Sequence, residues 1–178
     1  MPVRLVVALL ALVATLVFGS TGATAAGSPT RSIATADVLE QQILTELNAI
    51  RRGHGLAPLR LAPPLAAAAD FHSRTMGRYG FFSHDSRDGT DFWKRVKRFY
   101  GSTGYGSWSV GENLLWASST LQATEALRLW MASPGHRKNI LAKGWREIGL
   151  SAVTVVRAPG VFGNRDVTII TTEFGIRS

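Results

Sequence analysis

The apolar periodicity of this 178-residue chain switches once, and the switch limits what the chain can fold into. Through the first two thirds, apolar side chains recur every three or four positions, the spacing of helices with one buried stripe. Leu39, Ile43, Leu47 and Ile50 form the first stripe, with Asp37 as its cap, Glu40 completing a capping box and Gly53-His54-Gly55 ending it. Leu65, Ala68, His72 and Met76 form the second, opened by Pro63-Pro64 and closed by Gly77 and Gly80. After a polar loop at 85–90, Phe92, Val96 and Phe99 mark a short basic helix, and a Gly/Ser/aromatic loop covers 101–109. Ala123, Ala126, Leu127 and Trp130 mark a fourth helix, capped by Thr120. Beyond it the pattern changes. Residues 148–156 and 167–174 are dense in Val, Ile and Thr, and Pro159, Gly160 and Gly163 lie between them, which predicts an antiparallel hairpin. With a short strand at 114–117, helices first and strands last predict an α+β fold, its helices packed on a small antiparallel sheet.

The N-terminus sets the compartment. Arg4 is a short positive region, 5–18 an apolar run, and Ala23-Thr24-Ala25 a small-x-small cleavage site. This reads as a secretory signal peptide over 1–25, then a flexible segment over 26–36 opening with Gly27-Ser28-Pro29, and one domain over 37–178. The apolar run falls short of the ~20 residues a membrane span needs, and no later segment is apolar enough to span. The expected location is extracellular or at the cell envelope. There is no cysteine, which excludes thiol nucleophiles, thiolate metal sites and disulfides, so packing must hold the domain.

The net charge is +8, and removal of the leader takes away Arg4 but no acidic residue. A basic exported protein is drawn to anionic partners such as lipid head groups or wall polymers. No nucleic acid is expected, because no aromatic-glycine binding signature accompanies the charge. The densest run, Lys94-Arg95-Val96-Lys97-Arg98, reads as a solvated helix face rather than a dedicated patch.

Three segments carry candidate chemistry. In the stretch from Trp130 to Leu141 a helix ends, Pro134-Gly135 break the backbone, and His136 opens the next turn with Asn139 behind it. Upstream stand Phe81-Phe82-Ser83-His84 and Gly111-Glu112-Asn113. His84, Glu112 and His136 are expected to converge in one solvent-reachable cleft, with Asn139 clamping backbone near the turn. His72 lies on an apolar helix face and reads as a core or cleft-edge histidine, and His54, between glycines, as solvated. Ser83 and Ser133 each lie near a histidine, but neither sits in the strand–turn–helix elbow of a serine hydrolase.

These pieces, in this order, resemble the CAP superfamily, or SCP domains: cysteine-rich secretory proteins, antigen 5 and pathogenesis-related proteins, in a short cysteine-free bacterial branch. The resemblance covers about Leu44 to Gly175 and includes Leu47-Asn48 with Arg51 and the 55–59 exit, Ala69 with His72-Ser73 and Met76, the three segments above, Gly149-Leu150 and Phe174-Gly175. The resemblance implies an α-β-α sandwich and a cavity lined by two His and two Glu. His84 and His136 match the histidines and Glu112 one glutamate, while the second glutamate falls at about Ser133 here.

Two readings of the cluster follow. Two neutral imidazoles suit a weak, exchangeable Zn²⁺ site at His84 and His136, but a catalytic zinc wants three protein ligands, and Glu112 cannot be both ligand and general base. Alternatively, Glu112 accepts hydrogen bonds and holds loops together. The expected function is a binding or interaction module with a metal, a lipid-like ligand, an anionic envelope component or a protein as partner. A metal-assisted hydrolase is the alternative.

Overall fold

A computed structural model describes residues 33–118 and 120–178 of the chain. The leader over 1–25 and the flexible segment as far as residue 32 lie outside the described residues. Helix α1 (Ile33–Gly53) runs through residues 33–36, expected to be flexible, and past Asp37, expected to be its cap. The Glu40 carboxylate accepts the Ala152 backbone N–H at 2.9 Å and ties the helix to the sheet.

Strand β1 (Arg60–Leu61) then leads into helix α2 (Pro63–Tyr79), short helix α3 (Phe92–Lys97), strand β2 (Trp108–Ala117), helices α4 (Ala123–Ala132) and α5 (Pro134–Ile140), and strands β3 (Glu147–Ala158) and β4 (Arg165–Arg177). The expected hairpin is β3–β4. The sheet order is β1-β3-β4-β2, antiparallel throughout except for the two-residue edge strand β1, which runs parallel to β3. β1 is too short for its alternation to be readable. Gln122, not Thr120, precedes α4 at its N-cap. Pro134 occupies the first turn of α5, where its missing N–H costs nothing.

Alternation along β3 and β4 sorts the core into two layers. Ile148, Leu150, Ala152, Ile170 and Phe174 face α1, α4 and α5, together with Ile43, Leu47, Leu127 and Trp130. Val153, Val155, Val167 and Ile169 face the other way, toward Met76 of α2. Leu65 and Ala68 of α2 pack with Val96 and Tyr100 in a third cluster. The result is the α-β-α sandwich. α2 lies so close to β3 that a Cβ on Gly149 would sit 2.0 Å from the Leu65 carbonyl carbon, which excludes any other residue there. Gly77 does not end α2; it is buried inside the helix against Val155. Gly80 ends it, in the left-handed conformation at φ 69°, as a C-terminal glycine does.

Candidate functional site

β2 is longer than the expected 114–117 and begins at Trp108, so Gly111-Glu112-Asn113 lies on a strand rather than in a loop. Side-chain direction is therefore set by sheet register. Glu112 pairs across to Glu173 of β4, and both side chains point to the α2 face. Asn113 points to the opposite face, where its side-chain amide donates to the His136 carbonyl at 3.1 Å. Asn139 of α5 donates to the Glu112 carbonyl and to the Asn113 side-chain oxygen, both at 2.9 Å. These bonds fasten α5, and the backbone of His136 with it, to the strand that carries Glu112. Asn139 thus has the geometry of a clamp.

The Glu112 carboxylate is buried, with a side chain only 1% exposed, and both of its oxygens are engaged. Oε1 lies 2.7 Å from His84 Nδ1 and Oε2 accepts from the Arg95 guanidinium. Burial pushes its pKa up, but the hydrogen bond from His84 and the charge of Arg95, with His72 and Glu173 nearby, outweigh it and hold the group below the usual 4.5. Glu112 is therefore an anion at neutral pH. An ionised carboxylate only accepts, so His84 Nδ1 carries the proton and donates it. That fixes the tautomer: His84 Nε2 is left as the free nitrogen of a side chain that is 52% exposed.

Arg95 corrects the expectation that the whole basic run of this amphipathic helix is a solvated face. Lys94, Lys97 and Arg98 are exposed, but Arg95 is 0% exposed. Its guanidinium bonds Glu112, donates to the His84 carbonyl at 2.8 Å and stands 3.7 Å from Glu173 Oε1. It thereby holds both the carboxylate and the backbone of the histidine that the carboxylate orients. Glu173 is the second residue that sequence reasoning missed. As a carboxylate it would be fully buried with neither oxygen bonded. Burial and the neighbouring Glu112 charge raise its pKa well above 4.5, which favours the neutral carboxylic acid. The interior of the site thus balances one cation, one anion and one neutral acid.

His72 completes the inner wall. It is 1% exposed, its Nε2 lies 2.8 Å from the Ser83 carbonyl, and burial lowers its pKa to about 4. This is the satisfied cleft-edge histidine that the apolar stripe suggested. Its Nε2 also stands 4.0 Å from Glu112 Oε2. His136, on the first turn of α5, is half-buried. Burial lowers its pKa first, and the nearby His84 lowers it further. His54 is exposed and pairs only with its own helix, Nδ1 at 2.9 Å from the Ile50 carbonyl.

Among the described residues no group of three or more His, Cys, Asp or Glu side chains is arranged to hold a metal ion. With Glu112 committed to His84 and Arg95, the remaining donors of the cleft are imidazoles. This set does not fit a catalytic zinc, which needs three protein ligands. It fits at most a weakly held ion whose shell is completed by water.

The chain belongs to the CAP family: residues 44–158 match the family described as the cysteine-rich secretory protein family. It is 32% identical to YkwD of Bacillus subtilis over 114 residues, 64% of this chain and 42% of that one. It is 33% identical to the membrane protein YlbC of the same species over 62% of this chain and 30% of YlbC. The chain thus spans less than half the length of these relatives. Its fold matches the crystal structure of an extracellular SCP-domain protein of Bacillus anthracis at a TM-score of 0.61 and 30% identity, covering 80% of this chain and 41% of that one. An outer surface protein of Borrelia burgdorferi matches at 0.62, covering 78% of this chain and 92% of that one; at 18% identity it shows the fold alone. The chain is a cysteine-free CAP-domain protein. Among the described residues no helix is long and apolar enough to cross a membrane.

Proposed function

We propose that this chain is an exported CAP module of the envelope or extracellular space that binds a ligand at the His84–His136 cleft and does not itself perform hydrolysis. The carrying observation is the hydrogen bond between Glu112 and His84 Nδ1. A carboxylate that orients one nitrogen of an imidazole presents the other for binding, as in the outer shell of metal sites. Glu112 then serves as an orienting group, neither ligand nor general base, because both oxygens are taken and the side chain is out of reach of substrate. A metal-assisted hydrolase would need a third ligand or a free base in the same place, and no described residue supplies one.

The occupant expected is a weakly bound divalent metal or a lipid-like or envelope molecule with an acceptor-seeking head group. The leader over 1–25, the basic charge and the extracellular relative support export. Calorimetric titration of the mature protein with Zn²⁺ tests the metal arm. Weak binding should be lost in His84→Ala and in His136→Ala, be unchanged in His54→Ala, and fade as pH falls through the imidazole range, because the ligands must be neutral. Absence of heat with the wild type, or equal affinity in the double variant, removes metal from the reading. Metal-dependent hydrolysis that both alanine variants abolish overturns the non-enzymatic reading.

A further inference from the structure

A cavity of about 500 Å³ lies between α2 and the 85–90 loop, and it shares His72 with the inner wall of the proposed cleft. Phe71, His72 and Thr75 of α2 line it with Ser86, Arg87 and Arg98, and Asp88 and Thr90 lie at the loop end. The basic residues of this region fall into two sets. Arg74 and Lys94 are neutralised locally, by Asp70 at 2.7 Å and Asp91 at 2.9 Å. Among the described residues, neither the Arg87 nor the Arg98 guanidinium has a carboxylate close enough for an ion pair or donates a hydrogen bond, and Asp88 feels the Arg98 charge only at longer range. Each rests instead over an aromatic ring, Arg87 4.5 Å from the centre of Tyr79 and Arg98 5.6 Å from the centre of Phe71.

A guanidinium laid on a ring is held in place while its in-plane N–H groups stay free. Two such forks facing one cavity present an array of unspent donors. The Ser86 hydroxyl adds to it, since its oxygen accepts only a long contact from Arg95 at 3.4 Å and its proton is unspent. The one anion on the wall, Asp88, is turned to its own loop and accepts the Thr90 backbone N–H at 3.0 Å. Phe71 and Tyr79 remain 42% and 46% exposed, so apolar surface adjoins the charge.

We propose that this cavity binds a phosphate ester, its oxygens held by Arg87 and Arg98 and its organic part lying on Phe71. Arginine forks match phosphate oxygens two by two, and a phosphate ester presents more oxygens to two forks than a carboxylate does. The volume exceeds that of a bare phosphate and leaves room for a glycerol- or sugar-sized substituent. Such an ester occurs free, on an envelope polymer or on a lipid head group. The proposal calls on Arg87 and Arg98, not on the imidazoles of His84 and His136, and is tested apart from that reading although the two sites share His72 as a wall.

The test is calorimetry of the mature protein at low salt with glycerol phosphate, acetate, a polyglycerol phosphate chain, and vesicles of anionic or neutral lipid. Saturable binding of glycerol phosphate, with acetate far weaker, is expected. Arg87→Gln with Arg98→Gln should weaken it at least ~10-fold, equivalent to ~1.4 kcal/mol. Arg52→Gln, an exposed charge on α1, should leave it unchanged, and the variants' melting temperatures should match the wild type. Polymer binding competed by glycerol phosphate identifies the wall as the source, and vesicle binding so competed identifies the lipid. No glycerol phosphate binding by the wild type, an equal loss in Arg52→Gln, or vesicle binding that glycerol phosphate cannot compete each overturns the proposal.

Discussion

Among the described residues two arginines are fully buried, and different partners hold them. Arg51, at the end of α1, is clasped by backbone carbonyls: Ala57 at 2.9 Å, Ile140 at 2.7 Å and Ala142 at 3.0 Å. No carboxylate is among these bonds, and what the cation joins is the exit of α1 to the end of α5. Arg95 is held by Glu112, with Glu173 nearby and the His84 carbonyl as its third contact. The first arginine spends its charge on fixed dipoles and stiffens the frame. The second sits among groups that can gain or lose protons, so its surroundings can respond to pH. A buried cation among carbonyls reads as architecture; the same cation between two carboxyls and a histidine builds a site.

The largest expected effect separates these roles. Arg51→Met and Arg95→Met should each cost ~3–5 kcal/mol at neutral pH, because each leaves buried partners uncompensated. Carbonyls cannot take up protons, so the Arg51→Met cost should persist in acid. Glu112 can, so the Arg95→Met cost should shrink as pH falls below the carboxylate range. Urea unfolding of both variants at neutral and acidic pH checks this. Parallel pH profiles for the two would erase the distinction.

The next effect lies with His72. Its folded pKa, about 4, is depressed from 6.5, mainly by burial and also by Arg95 and His84, against the pull of Glu112 and the Ser83 carbonyl. The unfolded chain therefore binds more protons between those values. Stability is full above pH 6.5, declines as pH falls toward 4, and is flat for this group below that. The span is worth on the order of 3 kcal/mol. The depressed His136 adds in the same direction, and raised Glu173 opposes it, since its contribution is fullest below 4.5 and is lost as pH rises. His72→Gln should flatten the decline measured by denaturant unfolding from pH 7 to pH 4. An unchanged slope would show that His72 is not the group responsible.

The frame was largely legible because its elements have strong periods: α2, α4 and the β3–β4 hairpin all show in the spacing of their apolar residues. The interior of the site was not. Arg95 looked solvated among Lys94, Lys97 and Arg98, although its spacing from Phe92 and Phe99 puts it on the same helical face as Val96, the one signal that could have found it. Glu173 alternates in phase with Val167, Ile169 and Thr171, so its direction was readable. Its pairing with Glu112 depends on register between strands some sixty residues apart, and no local pattern encodes that. His84 and His136, with buried Glu112, stood out because turn and polar residues flank them.

Glu112→Gln is the smallest of these changes in structure and the most direct probe of what the site is for. The amide keeps the shape of the side chain but loses the charge that Arg95 and His84 both address. It can still accept through one oxygen, yet its NH₂ must face a donor, so one of the two bonds is lost and the other weakened. The expected cost is ~1.5–3 kcal/mol, typical for charge-assisted bonds. The amide also releases the His84 tautomer, because Nδ1 need no longer be the protonated nitrogen. Zn²⁺ or ligand binding at His84 should therefore weaken by more than the loss of stability explains. Thermal melts beside binding titrations separate the parts. A stability loss with binding intact assigns Glu112 to the frame, alongside the bonds of Arg51. Loss of both fits an orienting carboxylate, and a variant unchanged in both would leave Glu112 with neither role.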